Sequence, residues 1–189
     1  MNTIDRTCPE GKWAFNDEVT ASFDNMLQRS IPQYDLMRST VFELASRFRK
    51  PHHAIIDLGC SRGEAVAPLV QRFGALNQWW LIDVSEPMLT VCRERYKGFI
   101  DANVMYVKSL DLRSSYPPAN ACVTLAILTL QFTPIEYRQR IVREAYRQTV
   151  AGGAMIVVEK ILGATAEADA VLIESYHAMK LANGYSQED

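Results

Sequence analysis

The stretch that decides the fold reads AIIDLGCSRG and spans residues 54–63. Its first five residues form a short apolar run, which is typical of a strand buried in a parallel sheet. The glycines that follow predict a tight turn, and the apolar residues after Gly63 predict a helix. Because Pro68 falls inside that helix, we expect a kink or a late start there. A strand, a glycine-containing turn and a helix in this order begin an α/β domain.

The same alternation of strands and helices continues along the chain. Apolar runs predict four more strands, at residues 79–83, 104–107, 121–128 and 155–158. Strands that alternate with helices indicate a parallel sheet joined by right-handed crossovers. The sequence therefore predicts the α/β class, as a Rossmann-like three-layer sandwich with a parallel sheet of about five strands.

The helix after the fourth predicted strand carries sequence signals at both of its ends. Thr133 and Glu136 form a capping box, and the glycines at 152 and 153 are expected to end that helix. The last helix is expected from about Thr165 to Ala182. The buried stripe of the capped helix is predicted to consist of Ile141, Val142, Ala145 and Tyr146.

Two helices are also predicted ahead of the first strand. Asn16 is the expected N-cap of the first, which has Val19, Phe23, Met26 and Leu27 on one stripe. The stripe of the second consists of Met37, Val41, Leu44 and Phe48. We expect one domain over 1–189, with a loose tail at 1–12, helices covering the site at 13–50 and the α/β core at 51–189.

Composition and charge exclude several classes of function. The 189 residues are 48% hydrophobic and 22% charged, which suits one globular domain with a sizeable core. A net charge of −2 gives no electrostatic case for nucleic acid or an anionic membrane. The four cysteines are not spaced as metal ligands, so we expect no metal site and a reducing compartment, the cytoplasm. No apolar run is long enough to span a bilayer.

Acidic residues follow the second and third predicted strands. Ligands of open parallel sheets bind beyond the carboxyl ends of the strands. Asp83 ends the second strand, where a carboxylate suits a ribose diol because it accepts hydrogen bonds from hydroxyl groups. Asp111 follows the third strand, where an acid can accept from an adenine amino group and Leu112 can flank the ring. Ser61 and Val66 replace two glycines of a dinucleotide-binding loop, which disfavours a nicotinamide dehydrogenase.

With these residues the chain resembles the class I S-adenosylmethionine-dependent methyltransferases. Residues 57–63 look like their first motif, Asp83 like their ribose-binding acid and Asp111 like their adenine-side acid. The closer resemblance is to the carboxy-S-adenosylmethionine synthases, which are methyltransferase-fold enzymes of tRNA wobble-uridine modification and use prephenate. The stretches that carry it are residues 28–34, 57–61, 129–132, 159–160 and 182–186.

The resemblance implies the cofactor S-adenosyl-L-methionine and a set of residues that bind it. Tyr34 would close over the nucleoside, Gly59, Cys60 and Ser61 would line the methionine portion, and Val84 would join Asp83 at the ribose. The candidate cofactor-binding residues are Tyr34, Asp57, Gly59, Cys60, Ser61, Gly63, Asp83, Val84, Met88, Asp111, Leu112 and Ile127.

This sequence departs from the synthase pattern at two places. Ile127 stands where that family has an Asn, and no Arg follows residues 184–186 to grip the extra carboxylate. Arg29 and Lys160 are the candidates to replace that Arg. The class I fold also usually ends with two more strands, so we expect either a truncated chain or a homodimer that covers the edge strand.

Three functions follow as hypotheses. The first is a methyltransferase acting on an unidentified small molecule, the second is a carboxy-S-adenosylmethionine synthase, and the third is a non-catalytic or truncated binding module. No catalytic residue is identified, because His52 and His53 precede the first strand and are expected at the surface. His177 lies on the last helix. Gln131 and Glu159 follow the fourth and fifth strands and are better placed, although both could equally be structural.

Overall fold

The computed structural model describes residues 17–186, with side chains from Phe23 onward. The tail at 1–12, the N-cap Asn16 and the side chain of Val19 lie outside this described part. The chain divides into two compact units, one of residues up to Met37 together with those from Lys160, and the other of Arg38–Glu159. The single domain with the boundaries given above stays a prediction.

A parallel sheet of five strands forms the centre of the second unit. Because the middle strand has the next strand on one side and the fourth on the other, the chain changes direction across the sheet there. Every residue of that middle strand is buried. The strands are β1 (Ala54–Leu58), β2 (Gln78–Asp83), β3 (Met105–Ser109), β4 (Ala121–Ile127) and β5 (Thr149–Val158), in the spatial order β3-β2-β1-β4-β5.

The helices confirm most of the sequence pattern. Pro68 lies in the first turn of a helix that begins only at Ala67, which is the late start expected of it. Ser85 and Thr165 accept backbone N–H groups as N-caps of their helices. The helices are α1 (Asp17–Ser30), α2 (Tyr34–Phe48), α3 (Ala67–Phe73), α4 (Glu86–Arg95), α5 (Lys97–Asp101), α6 (Ile135–Gln148) and α7 (Ala166–Ala182), with 3-10 turns at Gly74–Leu76 and Leu130–Phe132.

The predicted start of α6 is wrong in its detail. Pro134 is the N-cap, and no side chain caps the helix. Thr133 is buried, and its carbonyl oxygen accepts a hydrogen bond from Arg138 Nε at 2.8 Å. The 3-10 turn that precedes Pro134 draws Thr133 inward, away from the role of a cap.

Half of the predicted stripe on α6 is also wrong. Ile141 and Ala145 are fully buried, whereas Val142 is 45% and Tyr146 82% exposed. A similar correction applies to α2, which buries Val41 and Ala45 and leaves Leu44 and Phe48 exposed. In both helices the buried face is narrower than the apolar pattern.

The prediction that the glycines at 152 and 153 end α6 is wrong. They lie inside β5. The pairing of β5 with β4 shifts register between Ala121 and Val123, whose partners are Thr149 and Ala154. Gly152 has φ +71°, and a Cβ on Gly153 would lie 2.6 Å from the carbonyl oxygen of Cys122. A bulge of this kind needs residues without side chains, which explains the pair of glycines.

The described residues contain neither a membrane-spanning helix nor a metal-binding cluster. None of the described helices has the length and hydrophobicity that crossing a membrane requires. Residues 17–186 also contain no cluster of three or more His, Cys, Asp or Glu side chains that could hold a metal ion.

Candidate cofactor site

The predicted acidic positions lie side by side along the edge where the parallel strands end, which we call the carboxyl edge. The backbone N–H groups of Gly59 and Cys60, after β1, donate to the carbonyl oxygen of Ile82 at 2.8 and 2.9 Å. Leu110, after β3, donates to the carbonyl oxygen of Asp83 at 3.0 Å. The ends of β1, β2 and β3 are therefore joined in that order.

The glycines of the turn after β1 are required by protein side chains. Gly59 has φ +68°, and a Cβ there would lie 2.5 Å from Cγ2 of Thr129. Gly63 has φ +77°, and a Cβ there would lie 2.7 Å from the ring of Tyr96, whose hydroxyl donates to the Gly63 carbonyl at 2.7 Å. Thr129 and Tyr96 therefore occupy the space that a side chain would need at these two positions.

Asp83 holds the turns around it and keeps some capacity for a ligand. Its Oδ2 accepts from the backbone N–H of Ser61 at 2.8 Å. Its Oδ1 accepts from those of Val84 and Ser85 at 2.7 and 2.9 Å. A carboxylate offers about four acceptor positions, so about one remains for a hydroxyl group. The partly exposed Asp83 therefore combines a structural role with a predicted binding role.

Asp57 is a buried acid beneath the same turn. Among the described residues, its Oδ2 has no hydrogen-bond partner. Burial raises the pKa of Asp57 to about 8, against the lowering effect of Arg38 and with smaller raising effects from Asp83 and Glu64. A nearby cation would stabilise the ionised form of such a buried carboxyl group and lower its pKa.

Asp111 pairs with a neighbour instead of standing open. The guanidinium of Arg113 forms a fork on it, with Nε 3.0 Å from Oδ1 and Nη2 2.6 Å from Oδ2. The backbone N–H of Arg113 also donates to Oδ1 at 2.8 Å. Arg113 holds the pKa of Asp111 below its usual value. The adenine role of Asp111 stays a prediction that requires Arg113 to share or leave this carboxylate.

Several other candidate residues are buried in the protein core. Cys60, Met88 and Leu112 expose less than a tenth of their surface, and Leu112 packs in the apolar cluster with Ile56 and Ile82. Cys60 is a free thiol beside Cys92, and burial raises its pKa. Val84 is 66% exposed, and Ile127 ends β4 partly buried. Of these predicted residues, Val84 has the side chain most open to a ligand.

Tyr34 belongs to the first unit. It lines a cavity of about 650 Å³ within that unit, together with Gln28, Ile31, Pro32, Gln33, Asp35, Leu36, Met179 and Asn183. Its closure over a nucleoside stays a prediction.

The two basic residues considered for a carboxylate both contact aromatic rings in the first unit. Arg29 Nε donates to the carbonyl of Asn183 at 2.8 Å, and its guanidinium lies 4.1 Å from the ring centre of Tyr185. Lys160 Nζ lies 4.9 Å from the ring centre of Tyr176. Arg29 thus joins the end of α1 to the end of α7.

The turn after β4 is fixed from β5. Glu159 accepts the backbone N–H of Leu130 through Oε1 at 2.6 Å and that of Gln131 through Oε2 at 3.1 Å. Burial raises the pKa of Glu159, while these amides lower it. Since both oxygens hold the backbone, the structural alternative for Glu159 describes this geometry better than a general base does.

Sequence patterns could not identify Thr129 as the residue that joins the turn after β4 to the end of β1. Its hydroxyl donates to the Leu58 carbonyl at 2.7 Å across 71 residues of chain, and no local pattern signals such a pair. The histidines are as expected, because His52 is exposed and His53 partly exposed at the opposite edge of the sheet. His177 is exposed on α7, beside Tyr176.

Comparisons with known proteins agree with this geometry. A family model described as a methyltransferase domain matches residues 55–153. The carboxy-S-adenosyl-L-methionine synthase of Methylococcus capsulatus is 35% identical over 176 residues, which cover 93% of this chain and 73% of that protein. The enzyme of the same name from Hydrogenovibrio crunogenus is 32% identical over 94% of this chain and 70% of its own length.

Solved structures show the same fold. An O-methyltransferase family protein from Burkholderia thailandensis superimposes with a TM-score of 0.63 at 17% identity, over 88% of this chain and 49% of that one. An S-adenosylmethionine-dependent methyltransferase from Clostridium acetobutylicum gives 0.58 at 15% identity, over 72% and 55%. The predicted Rossmann-like sandwich is confirmed.

Proposed function

This chain belongs to the class I S-adenosylmethionine-dependent methyltransferases, in the family of the carboxy-S-adenosyl-L-methionine synthases, and from that premise we propose where it binds and presents its cofactor. As a member of that family it is a transferase that uses S-adenosyl-L-methionine. In the proposed arrangement the adenine lies at the end of β3, the ribose at β2 and the methionine portion at β1. The sulfonium methyl group then faces the end of β4, the next strand in the sheet.

The observation that carries this proposal is the carboxylate of Asp83. Three backbone N–H groups fix it at the end of β2 and leave about one acceptor position, which fits a ribose hydroxyl. The exposed Val84 beside it offers an apolar surface to the same sugar. Asp57 is fully buried beneath this turn, and a sulfonium or ammonium group above it would lower its raised pKa.

The protein's own part in the reaction is alignment. S-adenosyl-L-methionine supplies an activated methyl group, whose transfer needs an acceptor in line with the bond that breaks. Asp83 fixes the sugar, and the interlocked turns after β1 and β4 fix the surface beside the methionine portion. Such fixed geometry lowers the entropy cost of bringing the reactants together.

Mass spectrometry of small molecules released from the purified protein tests the proposal. Recovery of S-adenosyl-L-methionine or its demethylated product, together with calorimetric binding of added S-adenosyl-L-methionine, is the expected result. Absence of any adenosyl compound, with no binding of the added cofactor, would overturn it.

A second candidate function is the synthesis of carboxy-S-adenosyl-L-methionine. Relatives of that name match 93–94% of this chain at 32–35% identity, and this observation favours the candidate. Incubation with S-adenosyl-L-methionine and prephenate should then give a carboxylated adenosyl product. Methyl transfer without any effect of prephenate would favour the first function instead.

Compartment and partners belong to the proposal as well. Cys60, Cys92 and Cys122 are free and buried, which supports action in the reducing cytoplasm. The small net charge supports a small-molecule substrate over nucleic acid.

Within the described residues β5 pairs only with β4, so its outer edge is a place where a second copy could pair. Size-exclusion chromatography with light scattering would test that dimer.

A further inference from the structure

We propose that Glu159 is a positioning residue, which fixes the turn of residues 129–133 as the acceptor-side wall of the site. This rests on the proposed function, because the order of ligand groups along β3, β2 and β1 places the sulfonium next to β4. The turn of residues 129–133 is the part of the chain that follows β4 at the carboxyl edge. Glu159 touches neither cofactor nor acceptor in this account and acts through the turn.

The turn is held by more contacts than its own backbone supplies. Leu128, at its entrance, has φ +56° and donates to the carbonyl of Val158 at 2.7 Å. A non-glycine residue in this conformation persists only where the surroundings impose it. The two hydrogen bonds from Glu159 to Leu130 and Gln131 are the direct restraint on the segment that follows.

Gln131 is restrained through both of its backbone polar groups, which belong to the peptide bonds on either side of it. Its N–H donates to Glu159, and its carbonyl accepts from Arg138 Nη2 at 3.3 Å. Arg138 Nε also binds the carbonyl of Thr133 at 2.8 Å. Glu159, directly after β5, and Arg138 on α6 therefore hold one short turn from two sides.

The clamped turn is also the support of the cofactor turn. Thr129 fills the space beside Gly59 and donates to the Leu58 carbonyl at 2.7 Å. A shift of the turn would therefore change the distance between the cofactor's reactive end and the acceptor. Misplacement by about 1 Å can lower the rate by about a hundredfold without loss of binding.

The carboxylate must be ionised for this role. A protonated Glu159 would present a hydroxyl donor to one of the two amide donors, and that hydrogen bond would be lost. Arg138 from α6 is the charged group that faces it, and the turn itself contributes no titratable side chain. Turnover should therefore fall on the acidic side as Glu159 gains a proton.

The test compares Glu159→Gln with Glu136→Gln, which removes an exposed carboxylate from the first turn of α6. Amide hydrogen exchange at Leu130 and Gln131, S-adenosyl-L-methionine affinity and turnover with prephenate are measured in the full chain. In Glu159→Gln we expect exchange to quicken about tenfold or more. Turnover should fall about tenfold or more while the dissociation constant of S-adenosyl-L-methionine stays within about threefold. The acidic limb of the pH profile should disappear in this variant alone.

Unchanged exchange at both amides in Glu159→Gln would overturn the proposal, as would a loss of cofactor affinity in proportion to turnover. A wild-type chain that binds no S-adenosyl-L-methionine would instead contradict the proposed function, and the exchange comparison would still decide whether Glu159 holds the turn. If the wild-type chain does not consume prephenate, amide hydrogen exchange and the affinity for S-adenosyl-L-methionine still decide whether the proposal about Glu159 stands.

Discussion

The turns after β1 and β4 are joined through the Thr129 side chain. The turn after β3 is anchored by Leu112, whose carbonyl accepts from Arg140, but its acid pairs only with a near neighbour in the chain. Thr129 packs into the space beside Gly59, and Glu159 fixes the following amides from β5. At the other end, Asp111 and Arg113 form an exposed pair two residues apart. The difference indicates a rigid surface where the reacting atoms would meet and a more adjustable one where the adenine would lie.

Replacement of Gly59 by Ala should have the largest effect on stability, because it disrupts the contact between the turns after β1 and β4. The new Cβ would collide with Thr129, and Ala would have to adopt φ +68°. We expect the free energy of unfolding to fall by about 2–4 kcal/mol from strain and overpacking together. Urea denaturation measures this. Gly98→Ala is the control, since a Cβ there would have no described atom within 4 Å apart from its chain neighbours and the backbone of its own helix.

The double variant Gly59→Ala with Thr129→Ala sharpens the result. Removal of the Thr129 hydroxyl and methyl groups should recover part of the lost stability, while the cost of the positive φ stays. Equal loss in the single and double variants would contradict the packing of Thr129 against Gly59.

Asp57 gives the next effect, through pH. Because burial raises its pKa to about 8, the folded chain holds a proton that the unfolded chain releases near the ordinary aspartate pKa of 3.8. Stability should therefore fall as pH rises between these values, by at least about 1.4 kcal/mol, the equivalent of one pKa unit. Urea denaturation at about pH 5 and about pH 8 should show this fall in the wild type and a smaller one in Asp57→Asn. An equal fall in stability in the wild type and in Asp57→Asn would contradict this effect of Asp57.

Arg113→Ala tests the adjustable end and should have the smallest effect. An exposed pair contributes little, so stability should change by less than about 0.5 kcal/mol. The affinity for adenosine should stay the same or rise slightly, because Asp111 gains free acceptor positions. Calorimetry compares it with Arg147→Ala, another exposed paired arginine. A clear loss of adenosine affinity would show that Arg113 itself binds the ligand.

The same contrast explains how much the sequence could predict. β1 matched its expected bounds, and Asp83 matched its expected place at the end of β2, because a buried strand and its end leave local patterns in the sequence. The contact of Thr129 with Gly59 and the clamp from Glu159 could not be predicted, since they join segments far apart in the chain. The bulge in β5 was also missed, because two glycines after a helix more often end the helix.

The placement of the ribose at Asp83 is the central claim, and one calorimetric cycle tests it most directly. Wild type and Asp83→Ala are each titrated with S-adenosylhomocysteine and with its 2′-deoxy analogue. The wild type should prefer the intact ribose by about 1–3 kcal/mol, and the variant should lose this preference. A variant that distinguishes the two ligands as well as the wild type does would contradict it.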